Sequence, residues 1–147
     1  MSYPELAGFF EFRMKALADA LGGRTVPAAN YPELTELLGR IRATYRPVDI
    51  LLYGSRARGE ASAFSDWDIK VIVGDDAPDQ LFSTMLAWKT QEGSGVYADI
   101  SCARVSEFVS DLSVANSAAN HMADEAVVLE SGRVDPLRAR QPIRSRQ

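Results

Sequence analysis

The stretch LLYGSRARGEASAFSDWDIKVIV, residues 51–73, holds two apolar runs separated by a Gly-Ser pair and several charged residues. VDILLYG at 48–54 is short, apolar and ends in glycine, as a buried strand does; WDIKVIV at 67–73 is a second such run, closed by Gly74-Asp75-Asp76. Successive strand residues point to opposite faces, so Asp66, Asp68 and Lys70 share one face while Trp67, Ile69 and Val71 supply the core from the other. Asp66 and Asp68 then stand about 6–7 Å apart along the backbone, close enough to share cations. An isolated D-x-D of this kind is ordinarily a solvated strand face. What sets this one apart is Gly54-Ser55, directly after the first strand and ten residues before Asp66. A glycine at a strand end lets the backbone approach a ligand, and the amides of Ser55 and the following turn can face phosphate oxygens. The Ser55 hydroxyl is a further donor, and Arg56 and Arg58 add positive charge.

Working outward, VYADISCARV at 96–105 alternates again, with Val96, Ala98 and Ile100 on one face and Tyr97, Asp99 and Ser101 on the other. A sheet could therefore bring Asp99 beside Asp66 and Asp68. Three carboxylates on adjacent strands suit hard, oxygen-preferring Mg²⁺, and a pair of such ions can stabilise both oxygens of an in-line displacement at phosphorus. Helices surround these strands. SYPEL at 2–6 opens one whose apolar positions run to Leu21 and which Gly22-Gly23 stops. NYPEL at 30–34 opens a second, with Asn30 as cap and Leu34, Leu37, Leu38 and Ile41 as its stripe. PDQLFSTMLAWKTQ at 78–91 predicts a third, with Leu81, Met85, Leu86 and Trp88 around one stripe. A short helix from about Ser106, a longer one from about Ser113 to Glu125 and a terminal strand or extended segment in AVVLES follow.

The 147 residues are one domain's length, and 46% apolar with 24% charged residues is the composition of an ordinary globular protein. No apolar run approaches a membrane span and no signal peptide is recognisable, so the expected location is the cytoplasm, without membrane association. One cysteine, Cys102, and one histidine, His121, cannot build a zinc cluster or an internal disulfide. Cys102 reads as a small strand residue and His121 as a helix-surface residue. Residues 133–147 carry five of the 16 basic residues and one of the 20 acidic ones, which leaves a net charge of −8 in residues 1–132. So acidic a body argues against direct, sequence-independent nucleic-acid binding. P-loop, G-x-G-x-x-G, H-E-x-x-H and G-x-S-x-G patterns are absent.

GSRARGEASAFSDWDI resembles the G-S, ten residues, D-x-D signature of the polymerase-β-like nucleotidyltransferase superfamily, and most of all its minimal nucleotidyltransferase (MNT) branch. The likeness covers roughly residues 31–131, with Asp99 at the place of the third carboxylate and NSAANHMADEAVVLES similar to the closing helix and strand. It implies an α+β (mixed α/β) fold, a short mixed sheet against helices. The expected division is a minimal nucleotidyltransferase domain at 30–132, preceded by an N-terminal helical extension at 1–29 that the likeness does not cover and followed by a basic tail at 133–147 whose near-absence of apolar residues reads as disorder. Carried over to this chain, the resemblance has Gly54 and Ser55 holding the triphosphate, with Arg56 and Arg58 as additional nucleotide-binding candidates. Asp66, Asp68 and Asp99 would bind two Mg²⁺ ions, and Asp99 would also help activate the acceptor hydroxyl. Members of the MNT branch are often antitoxins paired with a HEPN-domain ribonuclease, so the expected reaction moves AMP from ATP to a hydroxyl of such a toxin. The chain lacks the R-x(4–6)-H motif around His121 and so reads as the antitoxin. A contact-only antitoxin, and transfer to a small molecule such as an aminoglycoside by an oligomer, stay open as alternatives. On the site face, Lys70 either pairs with a carboxylate or neutralises phosphate.

Overall fold

The two apolar runs become the central strands of a four-stranded sheet. The computed structural model describes Leu21 and residues 24–131; apart from Leu21, the N-terminal helix, its Gly22-Gly23 stop and the basic tail lie outside the described residues. β1 (Asp49–Tyr53) pairs antiparallel with β2 (Trp67–Val73), β3 (Ala98–Arg104) runs parallel to β2, and β4 (Val127–Ser131) lies antiparallel on the other side of β1. The resulting order is β3-β2-β1-β4. Five helices accompany it among the described residues: α1 (Thr35–Tyr45), α2 (Gly54–Arg58), α3 (Thr84–Gln91), α4 (Val105–Leu112) and α5 (Ala118–Glu125). The parallel β2–β3 pair requires a crossover, and α3 lies in it. This is the mixed α+β arrangement, a short mixed sheet against helices, that the resemblance implies. Among the described residues no helix is long and apolar enough to cross a membrane.

Both faces of the sheet are covered. Ile50, Leu52, Ile69, Val71 and Ile100 meet Leu37, Leu38 and Ile41 of α1 on one face. Leu51, Ile72 and Val128 meet Phe108 of α4 and Met122 of α5 on the other. Period-two alternation in β2 holds from Trp67 to Val71 and gives way to a continuous buried run at Val71–Val73, where α4 and α5 cover the second face. Towards the start of β2 that second face carries Asp68 and Lys70 instead. Arg24 spans to the end of α5, donating to the Ala123 and Ala126 carbonyls, where a cation suits the helix dipole. Arg40 ties α1 to the turn after α3 through the carbonyls of Thr90, Glu92 and Gly93.

Three helix boundaries differ from expectation, each for a local reason. Asn30 is not the cap of α1: Tyr31, held out of the helical region before Pro32, separates two 3-10 turns, Ala28–Asn30 and Pro32–Leu34, and the α-helix starts at Thr35. The expected stripe of Leu34, Leu37, Leu38 and Ile41 is nevertheless buried. The segment 78–91 is not one helix. Ser83 is extended (ψ 130°) and caps α3 by accepting the Leu86 amide, so Asp79–Phe82 is a separate 3-10 turn and Met85 and Trp88 face outward. Likewise Ser117, not Ser113, caps the last helix, because Asn116 takes a positive φ of 64°.

Ile69→Ala, at the buried centre of the sheet, is expected to cost about 2–5 kcal/mol in chemical denaturation. Phe64→Ala, which removes a side chain 96% exposed, is expected to change stability by less than about 0.5 kcal/mol in the same assay.

Candidate active site

The sheet register assembles the site. Tyr53, the last residue of β1, is the Cα partner of Asp68, and Asp68 is the Cα partner of Asp99 across the parallel pair. Tyr53, Asp68 and Asp99 thus form a row across three strands, about 4.8 Å from strand to strand. One step further along, Lys70 stands opposite Ser101 on the same face. Asp66 is outside β2, exposed and one residue ahead of the strand's first residue, Trp67, so it flanks the row instead of belonging to the strand face. Among the described residues no three His, Cys, Asp or Glu side chains are gathered closely enough to hold a metal ion. The three aspartates line one end of the sheet without converging on a point.

Gly54 leaves β1 with φ 74°, and a Cβ built on it would run into the carboxylate of Asp68. Both the backbone angle and the space therefore exclude a side chain. The Gly54-Ser55 turn is the first turn of the short helix α2, and Gly59, at φ 72°, ends it. Arg56 and Arg58 diverge. The Arg56 guanidinium stacks 4.2 Å over the Trp67 ring and donates to the Ser65 carbonyl at 2.8 Å. Trp67 is held from its other neighbour by the edge of Tyr31, ring centroids 5.7 Å apart. Arg56 thereby fastens the loop between α2 and β2. Arg58 turns the other way, to Glu60 at 3.1 Å and to Glu125 at 2.7 Å. Glu125, at the end of α5, also accepts the Gly54 amide at 3.1 Å. Sequence reasoning missed this residue, since 71 positions separate it from Gly54 and nothing in its own surroundings marks it.

Burial governs the electrostatics of the row, and the neighbouring acids add to it. Burial first, then the charges of Asp99, Asp66 and Glu125, hold the Asp68 carboxyl above its ordinary 3.8, with Arg58 pulling the other way. Burial likewise raises the Tyr53 phenol, opposed by the Ser101 hydroxyl and reinforced by Asp68 and Asp99, so it stays protonated at neutral pH. Lys70 is half-buried, and burial lowers its ammonium against the opposing pull of Cys102, Asp111 and Asp99. Cys102 is pushed up to about 11 by burial and stays a thiol, which rules it out as a ready nucleophile. His121 is exposed on α5. Beside Asp66 opens a cleft of about 580 Å³ lined by Arg56, Phe64, Trp67 and Tyr97 among others.

A mixed sheet thus sets a carboxylate against a Gly-Ser turn whose glycine leaves it the space. Residues 34–124, more than half of the chain, match the family model of the nucleotidyltransferase domain. The chain belongs to that family, and its class of chemistry is nucleotidyl transfer. None of the curated proteins compared with the chain matches it.

Gly54→Ala is expected to destabilise the fold by about 1–3 kcal/mol, and to cost measurably less in an Asp68→Ala background, a coupling that a double-mutant cycle reads directly. Asp68 also sets a pH dependence. A carboxyl raised on folding binds more protons in the native chain than in the unfolded one between the two pKa values, so its contribution is favourable in acid and is lost as pH rises through that window. Asp68→Asn is therefore expected to melt higher than the wild type at neutral pH, by about 1–4 °C, with the difference shrinking as the pH falls towards 4 in thermal melts.

Proposed function

We propose that this chain is a Mg²⁺-dependent nucleotidyltransferase that moves AMP from ATP to a hydroxyl of a partner protein, and that it serves as the antitoxin of a HEPN-domain toxin. The observation that carries the transferase reading is the Asp68–Asp99 pair, in register on parallel strands, with the Asp68 carboxylate filling the space beside Gly54. In chemical kind the donors suit the ion: Asp66, Asp68 and Asp99 offer only hard oxygen ligands, which would have to draw together from the end of the sheet to share it, and the missing Cβ at Gly54 leaves the Asp68 carboxylate its position. Bound there, Mg²⁺ would neutralise phosphate charge at the reacting phosphorus.

The residues of the chain then divide the work. Gly54 and Ser55 hold the triphosphate through backbone amides and the serine hydroxyl, and Arg58 supplies charge at the open side. Asp99, exposed at the strand end, accepts the proton of the acceptor hydroxyl. The acceptor oxygen forms a bond to the α-phosphorus, the bond from that phosphorus to the α–β bridging oxygen breaks, and pyrophosphate leaves with the electron pair. Arg56, stacked on Trp67, keeps the loop to Asp66 in place while lining the cleft beside that residue. A protein acceptor is supported by the surface around the cleft: Phe64 and Tyr97 line it and are 96% and 75% exposed, and Trp88, 54% exposed, lines a second cleft together with Tyr97, a set of large apolar side chains suited to a macromolecular partner. The antitoxin role and the HEPN partner rest on the likeness of GSRARGEASAFSDWDI to the MNT branch.

The test is incubation of the purified chain with labelled ATP, CTP, GTP or UTP and Mg²⁺, with and without the product of the adjacent gene. Wild-type protein is expected to label the partner from ATP, and Asp66→Ala/Asp68→Ala to lower the labelling at least about 100-fold. Silencing of the partner by wild type and double mutant alike, with no label moved, would instead make the chain a contact-only antitoxin.

A further inference from the structure

Glu125 makes the least expected contact in the site. Its two oxygens are used separately, Oε1 accepting the Gly54 amide at 3.1 Å and Oε2 accepting Arg58 Nη1 at 2.7 Å. A backbone amide at a positive-φ glycine and a guanidinium are together an anion-binding pair. They are also the groups assigned to the triphosphate above. Resting on that reading, we infer that the Glu125 carboxylate is a placeholder for substrate phosphate: it holds the donors of the Gly54-Ser55 turn in position and is exchanged for the triphosphate when nucleotide enters.

Two observations favour exchange over a fixed structural tie. First, Glu125 adds its negative charge to those of Asp66 and Asp99 acting on Asp68, an arrangement opposed by like-charge repulsion and held by the two hydrogen bonds of Glu125 to the Gly54 amide and Arg58. A neutral cap would have avoided that repulsion. Second, the Arg58 and Glu125 side chains are 41% and 30% exposed, so Arg58 can swing from carboxylate to phosphate without opening either core.

Isothermal titration of ATP with Mg²⁺ into the full chain tests this in wild type, Glu125→Gln, Arg58→Ala and the double variant. Glu125→Gln keeps a carbonyl oxygen for the Gly54 amide but releases Arg58, so it is expected to bind ATP about three- to tenfold more tightly. Arg58→Ala is expected to bind more weakly, and the gain from Glu125→Gln to vanish in the double variant. In the wild type, the Gly54 amide resonance is expected to move on saturation with ATP, a readout that depends on no variant. Weaker or unchanged binding by Glu125→Gln, a gain that persists without Arg58, or a Gly54 resonance unmoved by bound ATP overturns the exchange alone. Failure of wild type and Glu125→Gln to bind any of ATP, CTP, GTP or UTP overturns the exchange together with the nucleotide reading.

Discussion

The close approach of Gly54 to Asp68 is the constraint on which the site depends. It exists because β1 and β2 are antiparallel and in a register that sets Tyr53 opposite Asp68, so the first residue beyond β1 turns across the carboxylate. Any residue with a Cβ would push either the turn or the aspartate out of line. The register is in turn fixed by burial. A slip of one position would carry Ile69 and Val71 off the first core and put Asp68 in their place, and that face is filled by α1. The core thus specifies where the acids stand.

That arrangement lets one sheet serve two purposes along its length. At the Val73 end of β2 both faces are apolar and covered by helices. At the Trp67 end one face stays polar, and there burial, with the neighbouring acids adding to it, raises the Asp68 carboxyl and the Tyr53 phenol. Parallel pairing of β2 with β3 matters here. It puts the starts of both strands at the same end, so two acids near the beginnings of their strands become neighbours. An antiparallel β3 in the same position would separate them by the length of the strand.

The central strands were legible because each carries an unbroken apolar pattern bounded by glycine, proline or acids, and β2 runs over the very residues expected, Trp67–Val73. The Leu34–Ile41 stripe was legible for the same reason. Helix starts were not, because Asn30, Ser83, Asn116 and Ser117 are all competent turn or cap residues, and the choice among them depends on backbone angles around Pro32 and Asn116 that spacing does not encode. In the site, the row of Asp68 and Asp99 follows from alternation once the strands are adjacent. Asp66 falls just off the strand, a one-residue boundary that period-two reasoning does not resolve. The partners of the two arginines were beyond reach altogether: both read as cations near a phosphate turn, and only the fold brings Trp67 under one and Glu125 against the other.

These arginine contacts alter the charge balance of the proposed reaction. Arg56 is held by Trp67 and Ser65 and Arg58 by Glu125, and these two with half-buried Lys70 stand as cations against Asp66, Asp68, Asp99 and Glu125. A triphosphate brings several more negative charges to a surface that is already negative. Binding in the proposed manner therefore requires positive charge arriving with the substrate, and it requires Arg58 to change partners. The first requirement is met by divalent cations that travel with nucleoside triphosphates; the second is met by a carboxylate that holds Arg58 through an exposed contact. An apolar or neutral residue at position 125 would leave Arg58 without that partner and the Gly54 amide without a charged acceptor, so the turn would be free to wander before substrate arrives. Glu125 trades some affinity for a turn already in shape, a balance that follows from setting an anion-binding turn beside three acids.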